Sequence, residues 1–159
     1  MAEQNNLAQA KAVFDTLCRT LEKHEWHYEK DEEKMSINCK ARGDDLPMDI
    51  TVTVDAVRMV VILLSPIPFT INEEKRLDVA IAVSAINSLL VDGSFDYNVM
   101  SGDMAFRMTN SFIDSTIGED VFTYMLFCSC QTIDEYNDKF LMLAKGMVTI
   151  EQFISTISD

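Results

Sequence analysis

Residues 93–112, GSFDYNVMSGDMAFRMTNSF, contain the charged side chains that are the first candidates for chemistry. Asp96 and Asp103 could act as acid or base, and Arg107 could bind an anion. These residues alternate with aromatic and aliphatic ones, which predicts two strands whose charged face points away from the core. An exposed ion pair between Asp96 and Arg107 explains the charges without catalysis. We therefore expect this hairpin to wall the core, and we predict no catalytic residue.

Histidine and cysteine pairs are the other candidates, for metal or redox chemistry. His24 and His27 have a spacing that occurs in metal sites, but they straddle a predicted helix end and lack a nearby third ligand. Cys128 and Cys130 diverge by roughly 200° around a helix axis, so they cannot readily clamp an ion or form a disulfide. No glycine-rich phosphate-binding motif occurs. The sequence predicts no metal site, no cofactor and no enzyme.

Charge and hydropathy exclude further classes of function. The chain has 26 acidic and 13 basic residues among 159, with a net charge of −13, which repels nucleic-acid phosphates. Its longest apolar run, at 59–64, is too short to cross a bilayer, and the N-terminus lacks a secretory signal. Four cysteines without framework spacing fit reduced thiols. We expect one domain over 1–159 in a bacterial cytoplasm, binding neither nucleic acid nor membrane.

The first half of the chain predicts a helix followed by antiparallel strands. Apolar residues at helical spacing place an amphipathic helix at 5–24. Period-two alternation then predicts a short strand around Trp26 and Tyr28 and longer strands at 34–41 and 48–55. The strand at 58–65 is apolar without alternation, which predicts a central position covered, at least in part, on both faces.

The second half predicts a largely buried helix, the hairpin and further helices. Asn72 is the expected N-cap of the apolar helix 73–91. We expect Ser101 and Gly102 to form a two-residue hairpin loop. Ser115 or Thr116 would cap the next helix, which we expect to end at Gly146. Within it, a capping-box pattern predicts a kink or a second start, and a final short helix follows. The residues of these two patterns are Thr132 with Glu135 and Thr149 with Gln152.

These elements predict an α+β fold in which helices pack against an antiparallel sheet, in the order α-β-β-β(-β)-α-β-β-α-α. The order resembles the type III secretion chaperone-like fold, and the chain resembles the YbjN-like family of proposed sensory transduction regulators. The resemblance covers nearly the whole chain. It rests on Trp26-x-Tyr28, the IT-VTVD block at 50–55, Val60–Leu64 before Pro66 and Pro68, Ala85-Ile86-Asn87, Gly93-Ser94-Phe95-Asp96, Gly102, Phe106-Arg107, Asp134-x-Tyr136 and Leu143-x-x-Gly146.

The resemblance implies a noncatalytic protein that binds polypeptide segments on helix and sheet surfaces, often as a homodimer. It supplies no active-site residue. We therefore expect a protein-binding module, chaperone-like or regulatory, that uses an exposed sheet edge or an apolar groove. The alternative is a small-molecule sensor, or an unrecognised enzyme, with a pocket between the buried helix and the sheet. The candidate partner or ligand surface is Asn87, Tyr97, Met104, Arg107 and Met108.

Self-association is left open by the sequence. Chaperones of this fold often pair through the segment that corresponds to residues 73–110, and helix 73–91 is apolar on more than one face. That surface, with Met104 and Met108 nearby, could bury against a second copy. Alternatively, helix 118–145 covers it within the monomer. Asn87 on the same helix is expected to bond nearby backbone rather than a ligand.

Overall fold

The structure is a computed structural model that describes residues 2–157. It confirms the α+β class: a six-stranded antiparallel sheet with four helices. The helices are α1 Ala2–Lys23, α2 Arg76–Leu89, α3 Glu119–Ala144 and α4 Ile150–Ile157, with a 3₁₀ turn at Glu73–Lys75. The strands are β1 Tyr28–Asp31, β2 Ser36–Arg42, β3 Pro47–Asp55, β4 Val60–Pro66, β5 Ser94–Asn98 and β6 Asp103–Ser111.

The strand order is β1-β2-β3-β4-β6-β5, so β1 and β5 form the two edges. Alternate residues of each long strand are buried on the face that α1, α2 and α3 cover. An aromatic chain links the layers: the ring centroids of Phe95 and Phe140 are 5.1 Å apart, and those of Phe140 and Phe153 are 5.6 Å apart. The hydrophobic core therefore lies on this face of the sheet. The aromatic contacts stabilise it in addition to the burial of apolar surface.

The opposite face of the sheet is not covered by any described element. β4 is central, as predicted, and its Val61 and Leu63 are buried beneath the helices. Val60, Ile62 and Leu64 project from the other side and are half-buried or exposed. The prediction of cover on both faces was wrong, because these residues gain burial only from neighbouring side chains on an open sheet.

Helix α2 is shorter and less buried than the sequence predicted. Asn72 makes no side-chain cap, a 3₁₀ turn precedes the helix, and the helix ends at Leu89. Leu77, Ile81 and Leu89, one helical stripe, are 73%, 54% and 54% exposed. The expectation of a largely buried helix was therefore wrong for this stripe: α2 packs against β5, α3 and α4, and these three side chains remain more than half exposed.

The hairpin between β5 and β6 turns through four residues, 99–102, rather than the predicted two. The Asn98 side chain accepts hydrogen bonds from the backbone N–H groups of Met100 and Ser101, at 3.0 and 3.3 Å. Gly102 has φ +83° and donates its N–H to the Asn98 carbonyl at 2.7 Å. These hydrogen bonds to the Asn98 side chain stabilise a four-residue turn instead of the predicted two-residue turn.

Helix α3 runs from Glu119 to Ala144 without the predicted break at Thr132. Its N-cap is Gly118 rather than Ser115 or Thr116, and tertiary packing along its length overrides the internal capping pattern. The predicted end of α3 and start of α4 are confirmed. Gly146, just after α3, has φ +68°, and Thr149 and Gln152, at the start of α4, form reciprocal hydrogen bonds at 2.9 and 3.2 Å. None of the helices within residues 2–157 is long and apolar enough to cross a membrane.

Candidate functional site

The β5 edge of the sheet is closed by one side chain of α2. Asn87 Nδ2 donates to the Phe95 carbonyl at 3.0 Å, and Asn87 Oδ1 accepts from the Phe95 N–H at 2.8 Å. The amide thereby takes the place that a residue of an added strand would take. The expectation that Asn87 bonds nearby backbone is confirmed, and an incoming strand cannot pair at the middle of β5.

The β1 edge, in contrast, is open. Tyr28–Asp31 pairs with β2, and no other element of residues 2–157 pairs with it on its outer side. An edge strand of this kind presents unpaired backbone N–H and C=O groups to any extended segment that approaches. The two ends of the sheet therefore differ: the outer side of β1 has no strand partner within residues 2–157, whereas Asn87 already occupies the Phe95 backbone on β5.

A groove lies between α1 and the β1–β2 hairpin, next to this open edge, and we call it the α1–β1 groove. Its volume is about 570 Å³. Phe14, Cys18 and Met35 form an apolar floor, the first and last of them buried. Three cationic and three anionic side chains form the walls. The wall residues are Lys11, Asp15, Arg19, Glu22, Lys30 and Glu32.

Two of the acidic wall residues of the groove bind neighbouring side chains. Tyr28 donates its hydroxyl to Glu22 at 3.1 Å, and Lys30 forms an ion pair with Glu32 at 2.8 Å. Burial raises the pKa of the Cys18 thiol, so Cys18 stays protonated at neutral pH. An apolar floor between balanced charges suits an uncharged or mixed polypeptide segment better than a small anion.

The five residues proposed from sequence as a partner or ligand surface do not lie together. Met104 and Met108 are buried in the core beneath the helices. Asn87 and Tyr97 lie on the helix-covered side, whereas Arg107 lies on the open face of the sheet. A pocket shared by Asn87, Tyr97 and Arg107 is therefore wrong, because the sheet separates them. In β6, Met104 and Met108 alternate in step with Phe106, and this pattern places all three side chains on the core face.

Arg107 has the role that its alternation predicted. Its Nη2 donates to Asp96 Oδ1 at 3.0 Å, and both side chains are about half exposed. The hydrogen bond to Asp96, and then the charge of that carboxylate, raise the pKa of Arg107. This is the exposed cross-strand pair expected from the sequence, and such pairs contribute little to stability.

The cysteines form neither a disulfide nor part of a metal-holding group within residues 2–157. All four cysteines are free, and burial raises the pKa of Cys39 to about 12 and that of Cys130 to about 11. Within residues 2–157 no group of three or more histidine, cysteine or acidic side chains could hold a metal ion. The α1–β1 groove was missed from sequence. Cys18 lies in the predicted helix 5–24 and Met35 in the predicted strand 34–41, but nothing in the pattern shows that a groove separates the two elements.

Comparisons with solved structures agree with this architecture. The crystal structure of YbjN from E. coli, described there as a putative transcription regulator, has a TM-score of 0.56 at 13% identity, covering 79% of this chain and 91% of that chain. The ExsC–ExsE complex gives 0.59 at 11%, covering 81% and 93%. The HopA1–SchA chaperone–effector complex gives 0.56 at 12%, covering 85% and 97%. At such identities the likeness shows the fold, which is type III chaperone-like.

Sequence comparison defines the family. No curated protein matches the chain. The YbjN family, described as "Putative bacterial sensory transduction regulator", matches residues 14–142. This range begins within α1 at the groove floor and ends within α3, so it contains both sheet edges and most of the helix layer. The chain therefore belongs to the YbjN family, and the resemblance seen in its sequence is confirmed.

Proposed function

We propose that this protein is a non-catalytic protein-binding module of the cytoplasm, chaperone-like or regulatory, that takes an extended segment of its partner on the β1 edge. The observation that carries the proposal is the difference between the edges. β5 is closed by Asn87, whereas Tyr28–Asp31 is unpaired on its outer side and lies beside the α1–β1 groove.

Strand addition supplies the binding energy. Backbone hydrogen bonds to β1 form with almost any sequence, and alternate side chains of the added strand point to one face. Those side chains would reach the groove, with its apolar floor at Phe14, Cys18 and Met35 and its charged walls, while the others would point to the open face of the sheet. The site thus selects an extended segment with apolar residues at every second position.

The structural relatives support a protein ligand. HopA1–SchA is a complex of a chaperone with an effector, and ExsC is likewise found in a complex, with ExsE. The family description, "Putative bacterial sensory transduction regulator", supports a regulatory role. These likenesses support a polypeptide partner in general and leave its identity to experiment.

The test is affinity capture from extracts of the source cells at low salt with a matched pair of variants. Cys18→Glu places a negative charge on the groove floor. Cys128→Glu makes the same change at another half-buried cysteine, on α3 and outside the groove. We expect a partner that wild type and Cys128→Glu both enrich and that Cys18→Glu loses, with both variants first shown to be folded by circular dichroism.

Amide hydrogen exchange then locates the bound segment. Partner binding should protect the amides of β1, at Tyr28–Asp31, and leave those of β5 unchanged, because Asn87 already occupies that edge. Retention of the partner by Cys18→Glu, or new protection at β5 without protection at β1, would contradict the proposed site.

The exposed α2 stripe of Leu77, Ile81 and Leu89 supports a second proposal, that two copies pair through α2. The stripe replaces Met104 and Met108 as the apolar surface available for a homodimer, since both methionines are buried. Apolar residues of this size in a row on one helix are typical of an isologous contact.

Light scattering at micromolar concentration tests this pairing. We expect a mass of twice the 18.0 kDa chain, which Ile81→Lys should reduce to that of one chain. Val57→Lys is the control, because Val57 is an exposed aliphatic residue on the β3–β4 turn, away from α2. A single-chain mass for wild type at every concentration would end the proposal.

A further inference from the structure

A second cleft, with no residue in common with the α1–β1 groove, lies between the β2–β3 turn and α3, and we call it the Trp26 cleft. Its volume is about 370 Å³. Trp26 and Phe127 form one side, and Asp44 and Asp134 form the other. The remaining lining residues are Ala41, Arg42, Gly43, Met48, Cys130 and Gln131.

The aromatic side consists of two rings at right angles. The Trp26 and Phe127 centroids are 6.2 Å apart with planes at 88°, and His24 packs on Phe127 at 5.5 Å and 78°. His24 is fixed in turn by a 3.0 Å hydrogen bond between its Nε2 and the Thr123 hydroxyl. Trp26 is half-buried and Phe127 exposed. Aromatic surface that is rigidly held and yet open to solvent is a feature of binding sites.

The acidic side is held in place by the backbone of the β2–β3 turn. Asp134 Oδ1 accepts the Asp44 N–H at 2.8 Å. Gly43 allows this approach, since a Cβ there would lie 1.8 Å from the same oxygen. The second oxygen, Oδ2, accepts no hydrogen bond from residues 2–157. The carboxylate is thus positioned by one oxygen, and its other oxygen is free to bind.

The electrostatic field of the Trp26 cleft is negative. Asp45 and Asp138 lie close to its acidic side: burial, and then the charges of Asp138, Asp134 and Asp44, raise the pKa of Asp45. Arg42 is the one cation that lines the cleft, and it forms no ion pair within residues 2–157. Two carboxylates and one guanidinium line the cleft, and Asp45 and Asp138 add two negative charges beside it, so the field attracts a further cation.

We infer that the Trp26 cleft binds an arginine side chain of a protein partner, with the guanidinium against the Trp26 and Phe127 rings and hydrogen-bonded to Asp134 Oδ2. Arginine fits better than lysine because a planar guanidinium both stacks on aromatic rings and donates in a fork to a carboxylate. The inference deepens the proposed function, on which it rests for the nature of the ligand: the partner carries an arginine in addition to the segment that pairs with β1.

The only tryptophan of the chain reports on this site directly. The probe is the blocked peptide Gly-Ser-Arg-Ser-Gly, titrated at low salt while Trp26 fluorescence is recorded. The comparison peptide has citrulline, a neutral isostere, in place of arginine. We expect a saturable change with the arginine peptide that is absent with citrulline and that weakens as salt is added.

Two isosteric variants separate the specific contact from the general field. Asp134→Asn keeps the acceptor for the Asp44 N–H but removes the charge, and it should weaken binding by about tenfold or more. Asp138→Asn changes net charge equally, yet Asp138 does not line the cleft, so it should weaken binding by less than about threefold. Phe127→Leu should also lose affinity while keeping the fold.

Three results would overturn the inference: no saturable change with the arginine peptide, an equal change with citrulline, or equal weakening by Asp134→Asn and Asp138→Asn. The groove variant Cys18→Glu should bind the peptide as wild type does. Loss of partner capture by Cys18→Glu with no peptide binding in any protein would leave the β1 proposal standing and remove only the arginine site. Peptide binding without any captured partner would leave the arginine site standing and remove the β1 proposal.

Discussion

Replacing Asn87 with alanine should destabilise the protein by about 2–3 kcal/mol. The substitution removes two hydrogen bonds, at 3.0 and 2.8 Å, and leaves the N–H and C=O of Phe95 without partners beside the helix layer. A hydrogen bond contributes about 1 kcal/mol, and a buried group left unpaired costs about 1–3 kcal/mol. The better helix propensity of alanine offsets roughly 0.5 kcal/mol of this loss.

Urea unfolding at pH 7 and 25 °C, followed by Trp26 fluorescence and circular dichroism, measures the effect. With a slope of about 2 kcal/mol/M for a chain of this size, the midpoint should fall by about 1–1.5 M. Ser88→Ala is the matched control: the next residue on α2 is exposed and its hydroxyl bonds only within the helix, to the Ala85 carbonyl. The control should stay within about 0.5 kcal/mol of wild type.

A third variant, Asn87→Asp, tests the geometry through pH. A carboxylate at this position still accepts the Phe95 N–H but faces the Phe95 carbonyl oxygen, so the pKa of the new carboxyl should lie above its ordinary value. The protonated form is then the stabilising one, and the deficit relative to wild type should grow as the pH rises from about 4 to 7. Equal midpoints for Asn87→Ala and Ser88→Ala, or a deficit for Asn87→Asp that does not vary with pH, would refute the reasoning.

Three further predictions concern stability in urea. Gly43→Ala should cost about 1–3 kcal/mol because its Cβ would meet Asp134. Gly118→Ala meets nothing within 4 Å and should cost less, under about 1 kcal/mol for the weaker N-cap of α3; equal losses would contradict this. Arg107→Ala should cost under about 1 kcal/mol, since its ion pair is exposed, and a larger loss would show a buried role. Burial raises the pKa of the Cys39 thiol to about 12, so wild type should lose stability above about pH 9 more steeply than Cys39→Ala, and parallel curves would refute this.

The sequence predicted the elements that repeat a clear period. The alternation at 48–55 gave β3 to within one residue, and Met104, Phe106 and Met108 alternate into the core as expected. Thr149 with Gln152 gave the start of α4, because a capping box is a contact between residues three apart. Such features depend on residues that are close together in the chain, so the local sequence is enough to predict them.

Features that depend on distant contacts could not be predicted in this way. The apolar run of β4 does not show whether a second helix layer exists, so its open face was missed. Thr132 begins a capping pattern, yet packing along α3 keeps the helix continuous. The Trp26 cleft joins residues about a hundred positions apart, Trp26 with Phe127, and only the placement of α3 brings them together. Local propensity decides few of these outcomes.

The closed β5 edge has a consequence for how far assembly of this protein can proceed. A sheet grows into a fibre only when both of its ends accept a strand, since each added molecule must offer a fresh end to the next. Here Asn87 occupies the Phe95 backbone at one end, so the β1 end is the one at which we propose strand addition. Two copies that met through β1 would leave only β5 ends outside, and growth of the sheet by edge pairing would stop at two copies. A single amide side chain therefore makes edge pairing self-terminating.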